Sequence, residues 1–143
     1  MLRKEITFTD FNGADRTMTY YFNMTQTELA ELDLDAGGVL REKLNAMIEK
    51  KDAVGLARFF KEIIVRSYGE KSDDGLYFDK GDNFSLGRRF TTSPAFDKLF
   101  TELLSDSTGE AATAFIYGIV PADIAAQAKA NTTPKITVGD DNA

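Results

Sequence analysis

The chain has 143 residues, 43% of them hydrophobic and 28% charged, which is the composition of one ordinary globular domain. It contains no cysteine and no histidine, so disulfides, zinc sites of the Cys/His kind, iron–sulfur clusters and catalysis by either residue are excluded. The formal net charge of −6 opposes binding to a phosphate backbone. No apolar run reaches the roughly 18 residues that a membrane span needs. We therefore expect neither nucleic acid nor a membrane as a partner.

The N-terminal residues predict a β-hairpin over residues 3–23. Ile6 and Phe8 alternate with polar neighbours, and a second run, residues 16–22, is rich in β-branched and aromatic side chains. Asn12-Gly13 lies between the two runs, and this dipeptide favours the positive φ angles of a tight turn. Because two strands alone are marginal in water, their apolar face needs cover from the rest of the chain or from another subunit.

The next part of the chain predicts three helices. Thr25 and Glu28 have the spacing of a capping box, and apolar residues recur at helical intervals over residues 39–50. Asp52 is suited to cap a third helix. The apolar face of that helix, the widest in the chain, consists of Leu56, Phe59, Phe60, Ile63 and Ile64. We expect it to be the central core helix and to end at Gly69, with that glycine in the left-handed conformation.

A turn and an irregular stretch follow the third helix. Asp73-Asp74-Gly75 is typical of a tight turn, and it leads into residues 76–78, which are β-like. Residues 79–91 contain two glycines and several turn-forming residues. This composition predicts a loop or one weak helical turn.

Two further helix starts lie in the last third of the chain. Ser93 precedes Pro94, whose missing amide hydrogen costs nothing at the first helical position. Ser107 and Glu110 match a second capping box, and the helix that they open is expected to end near Pro121.

Together these elements predict an α+β fold, with an N-terminal β-hairpin followed by a bundle of about five to six short helices. We expect a single domain over residues 1–126, divided into the hairpin at 3–23 and a helical part at 25–126. Residues 127–143 consist mainly of Ala, Asn, Thr, Lys, Gly and Asp. This composition predicts a disordered, flexible C-terminal tail.

The densest group of carboxylates consists of Glu70, Asp73, Asp74, Asp79 and Asp82. Such oxygen ligands suit Mg²⁺ or Ca²⁺, but Leu-Tyr-Phe follows Asp74-Gly75 where an EF-hand loop would place ligands. Ordinary turn chemistry is the preferred interpretation. The chain also lacks a Gly-x-Ser-x-Gly elbow, a Ser-x-x-Lys pair and both glycine-rich phosphate loops. We predict no catalytic residue, no metal site and no cofactor.

Aromatic residues are the remaining signal, with 11 Phe and 5 Tyr but no Trp. Most of them lie at core spacing within the predicted elements. Tyr77, Phe78, Phe84 and Phe90 fall outside the strong helices, and exposed aromatic side chains in loops are typical of protein-binding surfaces. These four are the candidate partner-binding residues.

Three segments of the chain resemble one known protein family. They are residues 64–78 (Ile-Val-Arg-Ser-Tyr-Gly-Glu-Lys-Ser-Asp-Asp-Gly-Leu-Tyr-Phe), residues 92–96 (Thr-Ser-Pro-Ala-Phe) and residues 114–121 (Ala-Phe-Ile-Tyr-Gly-Ile-Val-Pro). The run from Tyr21 to Leu32 is also similar. The family is that of the tail assembly chaperones of long-tailed phages infecting Gram-positive bacteria, and the resemblance covers about residues 3–124.

This resemblance implies a non-enzymatic protein that binds the tape-measure protein during tail morphogenesis. The major tail protein and a second copy of the chain are further candidate partners. The family works in the host cytoplasm and is absent from the mature virion. Many members are also made in a longer, frameshifted form, for which the residues after Gln127 would be the junction. The family has no catalytic residues to transfer to this chain.

Two alternatives from other classes remain open at the level of sequence. The acidic charge is compatible with an inhibitor that occupies the nucleic-acid site of a host enzyme. The carboxylates between Asp73 and Asp82 leave room for a small carboxylate-dependent enzyme.

Overall fold

A computed structural model describes residues 1–121 of the chain. The predicted hairpin is confirmed, with strand β1 at Leu2–Thr9 and strand β2 at Asp15–Phe22 paired antiparallel so that Ile6 lies opposite Met18. The Asp10 carboxylate holds the turn, because it accepts hydrogen bonds from the Asn12 and Ala14 amides and from Arg16 Nε. Gly13 has the positive φ, +85°, that the Asn-Gly motif predicts.

The hairpin is part of a larger sheet. Strands β3 (Tyr68–Lys71) and β4 (Phe78–Asp79) extend it to four antiparallel strands in the order β1-β2-β3-β4. The residues predicted to be β-like, 76–78, therefore overlap the start of β4. The sequence did not indicate β3, because it follows a helix without any intervening loop.

The predicted end of the third helix at a left-handed Gly69 is wrong. The helix, α3, spans Ala53–Ser67, and Gly69 is a strand residue that is not among the positive-φ glycines. A Cβ atom on Gly69 would lie 2.6 Å from the Phe78 ring and 2.8 Å from the Asp79 carbonyl oxygen. Glycine is required here because Phe78 and Asp79 of the neighbouring strand β4 leave no room for a side chain at position 69.

The described chain contains six α-helices, in agreement with the prediction of five to six short ones. Besides α3 they are α1 (Gln26–Asp35), α2 (Leu40–Glu49), α4 (Ser85–Phe90), α5 (Pro94–Ser105) and α6 (Glu110–Ile119). A 3₁₀ turn at Asp82–Phe84 precedes α4. The stretch predicted as a loop or weak helical turn therefore holds two short helical elements.

Three of the four predicted helix caps are confirmed. Thr25 and Glu28 form the capping box of α1, Asp52 accepts the Gly55 amide at the start of α3, and Ser93 accepts the Phe96 amide at the start of α5. The box predicted from Ser107 is wrong, because the N-cap of α6 is Gly109, with φ +77°. At this end of α6 the Asp106 carboxylate accepts a hydrogen bond from the Ala111 amide.

The core lies between one face of the sheet and helices α3, α5 and α6. Ile6, Phe8 and Phe22 come from the sheet and pack with Ile63 and Ile64 of α3 and with Leu99, Leu103, Phe115 and Ile119. The role predicted for α3 is confirmed for its second half, where Ile63, Ile64 and Val65 are buried. Its first half lies at the surface and is described below.

Two sequence predictions concern residues beyond this part of the chain. The domain boundary at residues 126–127 and the flexible tail at 127–143 lie outside the described residues. Within residues 1–121, none of the helices combines the length and the apolar character needed to cross a membrane.

Candidate protein-binding surfaces

An open apolar groove runs between α2, the first half of α3 and α6. We call it the helical groove; its volume is about 390 Å³, and it is lined by Leu44, Ile48, Leu56, Phe59, Phe60, Gly109, Ala112, Thr113, Ile116 and Tyr117. Within residues 1–121, no charged side chain lines it. Groups of adjacent apolar side chains open to water are typical of protein interaction sites.

The groove exists because α2 is an amphipathic helix whose apolar face is only partly covered. None of its residues is fully buried, and Ile48 is 56% exposed. Gly55 brings α2 and α3 together, since a Cβ atom there would lie 2.8 Å from Met47 Sδ. This contact places one side of the apolar face of α2 against α3, and Leu44 and Ile48 on the other side face the opening.

Sequence reasoning assigned the groove residues of α3 to the core. Their helical spacing was interpreted correctly, but spacing does not reveal whether an apolar face is covered. One feature of the sequence could have indicated an uncovered apolar face. The sequence predicts more amphipathic helices than a two-stranded hairpin can cover.

A second exposed apolar site is the tip of the β3–β4 hairpin. Leu76 and Tyr77 are each 72% exposed there. The turn that carries them is held by the Asp74 carboxylate, which accepts the Leu76 amide, and by Ser72 Oγ, which accepts the Tyr77 amide and donates to Asp74. These bonds lower the pKa of Asp74, with the Ser72 bond as the largest cause. A turn fixed in this way presents its side chains with little entropy left to lose on binding.

The candidates Phe78 and Phe84 lie elsewhere, on either side of a partly buried lysine. Lys80 Nζ donates to the carbonyl oxygens of Asn23 (2.7 Å) and Arg66 (2.6 Å) and to Glu28 Oε2 (2.8 Å). Phe78 lies 5.9 Å from Lys80 Nζ, and the Phe84 ring lies 5.3 Å from the Arg66 guanidinium carbon. Both aromatic side chains are half-buried.

We call Lys80, Asn23, Glu28 and Arg66 the lysine junction. The Lys80 ammonium group connects the end of β2, the start of α1 and the end of α3. Each of its three protons is donated to one of these elements. Burial lowers the pKa of Lys80, and the Glu28 carboxylate partly offsets that effect. Sequence reasoning missed Lys80 because it lies in the stretch read as a loop.

The expectation that Phe90 lies in an exposed loop is wrong. Phe90 is the last residue of α4 and is only 4% exposed. Its ring stacks on Tyr68 at 4.5 Å between centroids and contacts Tyr20, Phe22 and Phe96 edge-on or tilted. It is brought there because Gly87 lets α4 lie directly on α3, where a Cβ atom would collide with the Val65 carbonyl oxygen.

The structure therefore does not bring the four predicted binding residues together. Tyr77 is at the hairpin tip, Phe78 and Phe84 flank the lysine junction, and Phe90 is in the core. Two of the five carboxylates considered as metal ligands hold turns, because Asp74 accepts the Leu76 amide and Asp79 accepts the Gly81 amide. Among residues 1–121 no three acidic side chains are grouped closely enough to hold a metal ion.

Comparison with known proteins identifies the family. A family model described as phage tail assembly chaperone matches residues 1–142, and no curated protein or solved structure matches the chain. The match spans nearly the whole sequence and confirms the resemblance found in the three segments. The narrower expectation of long-tailed phages of Gram-positive hosts stays a prediction. The chain belongs to the phage tail assembly chaperone family.

Proposed function

We propose that this chaperone binds the tape-measure protein during tail morphogenesis, with the major tail protein as a second client. The observation that carries the proposal is the helical groove in a chain of this family. The family finding favours a binding role over catalysis, and it favours tail proteins over a host nucleic-acid enzyme as the partners.

The groove has the character that an amphipathic helix recognises. Long tape-measure helices carry apolar residues at intervals of three and four, and such stripes bind in apolar grooves formed between helices. Leu44 and Ile48 on one wall, and Phe59 and Phe60 on another, provide aliphatic and aromatic contacts for a stripe of this kind. The groove thus covers a client surface that would otherwise aggregate.

The charge of the protein complements this role. A net charge of −6 keeps a complex with an apolar client dispersed through like-charge repulsion between complexes. We further propose that the protein acts in the host cytoplasm and is left out of the mature virion. Mass spectrometry of purified virions checks this, since the tape-measure protein should be found and this chain should not.

The four aromatic candidates are not equally accessible to the client. Tyr77, together with Leu76, is presented on a rigid turn and is the strongest candidate for a second contact with the client. Phe78 and Phe84 are half-buried, so a partner reaches only their edges. Phe90 contributes through the fold, because a partner would have to displace the Tyr68 stack to touch it.

Co-expression with the tape-measure protein of the same phage tests the proposal. The wild-type chain is expected to raise the soluble fraction of the tape-measure protein and to co-purify with it. Ile48→Asp places a charge in the groove and is expected to abolish both effects. Val54→Asp is the matched control, since Val54 is a similarly exposed β-branched residue (62%) on α3 that does not line the groove.

Three outcomes would contradict the proposal. The first is no association between the two wild-type proteins. The second is equal loss of binding in the Ile48 and Val54 variants, which would move the contact away from the groove. The third is association that Tyr77→Ser abolishes while Ile48→Asp leaves it intact, which would make the hairpin tip the main site.

A further inference from the structure

Strand β2 has an open edge along most of its length. β1 pairs with all of β2, from Asp15 to Phe22, but on the other side β3 pairs only with Tyr21 and Phe22. After those two pairs β3 diverges from β2 and pairs with β4, at Glu70 and Lys71. Residues 15–20 of β2 therefore have no strand beside them on that side in the described part of the chain.

The backbone groups that face this edge belong to known residues. The Asn23 amide donates to the Ser67 carbonyl on the β3 side, and in an extended strand the amide and carbonyl of every second residue point the same way. The amides and carbonyls of Thr17 and Thr19 therefore face the open edge. An unpaired edge of this kind is a template for one more extended segment.

A recess lies directly beside the open edge, and we call it the edge slot. Its volume is about 570 Å³, and its walls include Met18 and Tyr20 of β2, Tyr68 and Glu70 of β3, and Arg89 and Phe90 of α4. Met18 and Tyr20 are on the face of the sheet that packs on the helices. An added strand would direct alternate side chains into the slot and the others, like Thr17 and Thr19, to solvent.

The slot also contains a cation without a partner. The Arg89 guanidinium forms no ion pair and no side-chain hydrogen bond within residues 1–121. It is nevertheless close to the Tyr68 phenol. Burial raises the pKa of Tyr68, and the charge of Arg89 lowers it by a smaller amount. A carboxylate on the added strand would give this guanidinium a charge-assisted hydrogen bond.

The outer edge of β1 is a weaker candidate. The recess between it and α5 is lined by Glu5, Asp97, Lys98 and Glu102, and Lys4 is already paired with Glu102 at 2.9 Å. Charged side chains along an edge discourage pairing with another strand. The two edges of the hairpin are therefore unequal, and only the edge of β2 combines free backbone groups with an aromatic recess.

We propose that the open edge of β2 binds an extended acidic segment of a partner protein as an added strand. The segment pairs with the backbone of Thr17 and Thr19, places apolar side chains against Met18 and Tyr20, and directs one carboxylate to Arg89. This interaction uses a surface separate from the helical groove and does not depend on what the groove binds.

A short peptide tests the proposal on the full-length chain. The probe is acetyl-Thr-Val-Thr-Glu-Thr-Val-Thr-amide, whose Val and Glu side chains point to one face when the peptide is extended. In ¹⁵N spectra its addition is expected to shift the Thr17 and Thr19 amides and to slow their hydrogen exchange by about tenfold, because free amides become hydrogen-bonded. Replacing the Glu of the probe by Lys is expected to weaken binding by about fivefold or more, because it replaces a charge-assisted bond with repulsion.

Two variants separate the backbone and side-chain contributions. Arg89→Ala is expected to remove the preference for the Glu peptide over the Lys peptide. Thr19→Pro removes an amide that is unpaired in the free chain, so the fold should persist while peptide binding is lost. If that variant fails to fold, a peptide N-methylated at its Thr residues replaces it, and this peptide is expected not to bind.

Several results would overturn the proposal. They are an absence of Thr17 and Thr19 shifts at millimolar peptide, shifts confined to another surface, or equal affinity of the Glu and Lys peptides. Thr17 and Thr19 shifts that depend on protein concentration without peptide would assign the edge to a second copy. Changes in the same shifts on deletion of residues 122–143 would assign it to the chain's own C-terminal segment.

Discussion

The lysine junction and the helical groove lie at opposite ends of helix α3 and differ in how completely they are covered. At the C-terminal end, Ile63, Ile64, Val65 and Ser67 are buried, and the Arg66 carbonyl is bound by Lys80. At the N-terminal end, Leu56, Phe59 and Phe60 face an opening. One continuous amphipathic helix thus stabilises the fold with one half and offers an apolar surface with the other.

This difference indicates that the residues that stabilise the fold and the residues that are open for binding lie in different parts of the chain. The covered end is fixed by contacts that tolerate no added atom, at Gly69 and at Gly87. The open end is formed by α2, which has no fully buried residue and whose Met47 approaches α3 closely at Gly55. Substitutions at the two ends should therefore have different consequences.

The largest expected effect comes from truncating the two halves of α3. Ile64→Ala removes a side chain with no exposure and should lower the free energy of unfolding by about 4 kcal/mol, from lost burial plus a cavity. Leu56→Ala, at the half-covered groove, should cost about 1 kcal/mol, because water already reaches that side chain. Urea denaturation measures both, and equal losses would show that the two halves are covered alike.

The next effect concerns the contact between α4 and α3. Gly87→Ala should lower the free energy of unfolding by about 3 kcal/mol, because its Cβ atom meets the backbone carbonyl of Val65, which has little freedom to move. Gly75→Ala is the control, with φ +77° but no atom within 4 Å, and its backbone strain should cost only about 1 kcal/mol. A milder loss at Gly87 than at Gly75 would mean that α4 shifts freely on α3.

A somewhat smaller effect is expected at the lysine junction. Lys80→Met leaves the Glu28 carboxylate and two carbonyl oxygens without their donor, and it should cost about 2–3 kcal/mol. The matched control is Lys4→Met, which removes a surface ion pair with Glu102 and should cost less than about 1 kcal/mol. Thermal denaturation of the two variants compares them, and a stable Lys80 variant would show that the junction is dispensable.

The smallest effect is that of acid on the turns. Asp10, Asp74 and Asp106 have pKa values below their usual range because of hydrogen bonds, chiefly from the Ala14 amide, Ser72 Oγ and Thr108 Oγ1 respectively. A carboxyl group with a lowered pKa in the folded state stabilises it above the unfolded pKa, near 3.8, and this contribution is lost as pH falls through the folded pKa. The urea concentration at the midpoint of denaturation should therefore decrease as the pH is lowered below about 4.

Asparagine substitution isolates this effect. Asp10→Asn, Asp74→Asn and Asp106→Asn combined should flatten the pH dependence over that range, since the three titrating groups are gone. An unchanged pH dependence would assign acid sensitivity to other carboxylates. None of the three lies in the lysine junction or the helical groove.

The amount of this fold that the sequence predicted depends on how local the determining interactions are. The hairpin turn at Asn12-Gly13 and the caps at Thr25, Asp52 and Ser93 were predicted correctly, because each involves atoms within a few residues. The Ser107 cap failed for a local reason as well. Thr108 Oγ1 accepts the Glu110 amide that Ser107 was expected to accept, and the Asp106 carboxylate accepts the next amide, that of Ala111.

The candidate binding residues were predicted less well. Tyr77 is exposed as expected, but Phe90 is in the core, and the groove residues of α3 were assigned to the core when they line an opening. The family, in contrast, was identified from short sequence segments, and the family model confirms it.

By itself, then, the sequence determined the class of fold, the order of the hairpin and helices, and the family, since these depend on periodicity, capping and local motifs. Only the tertiary structure decided that Gly69 is a strand residue beneath Phe78, that Phe90 is covered while Ile48 is not, and that Lys80 ties three elements together. The physical reason is that burial depends on which distant segments meet, and an apolar stripe has the same spacing whether or not another surface covers it.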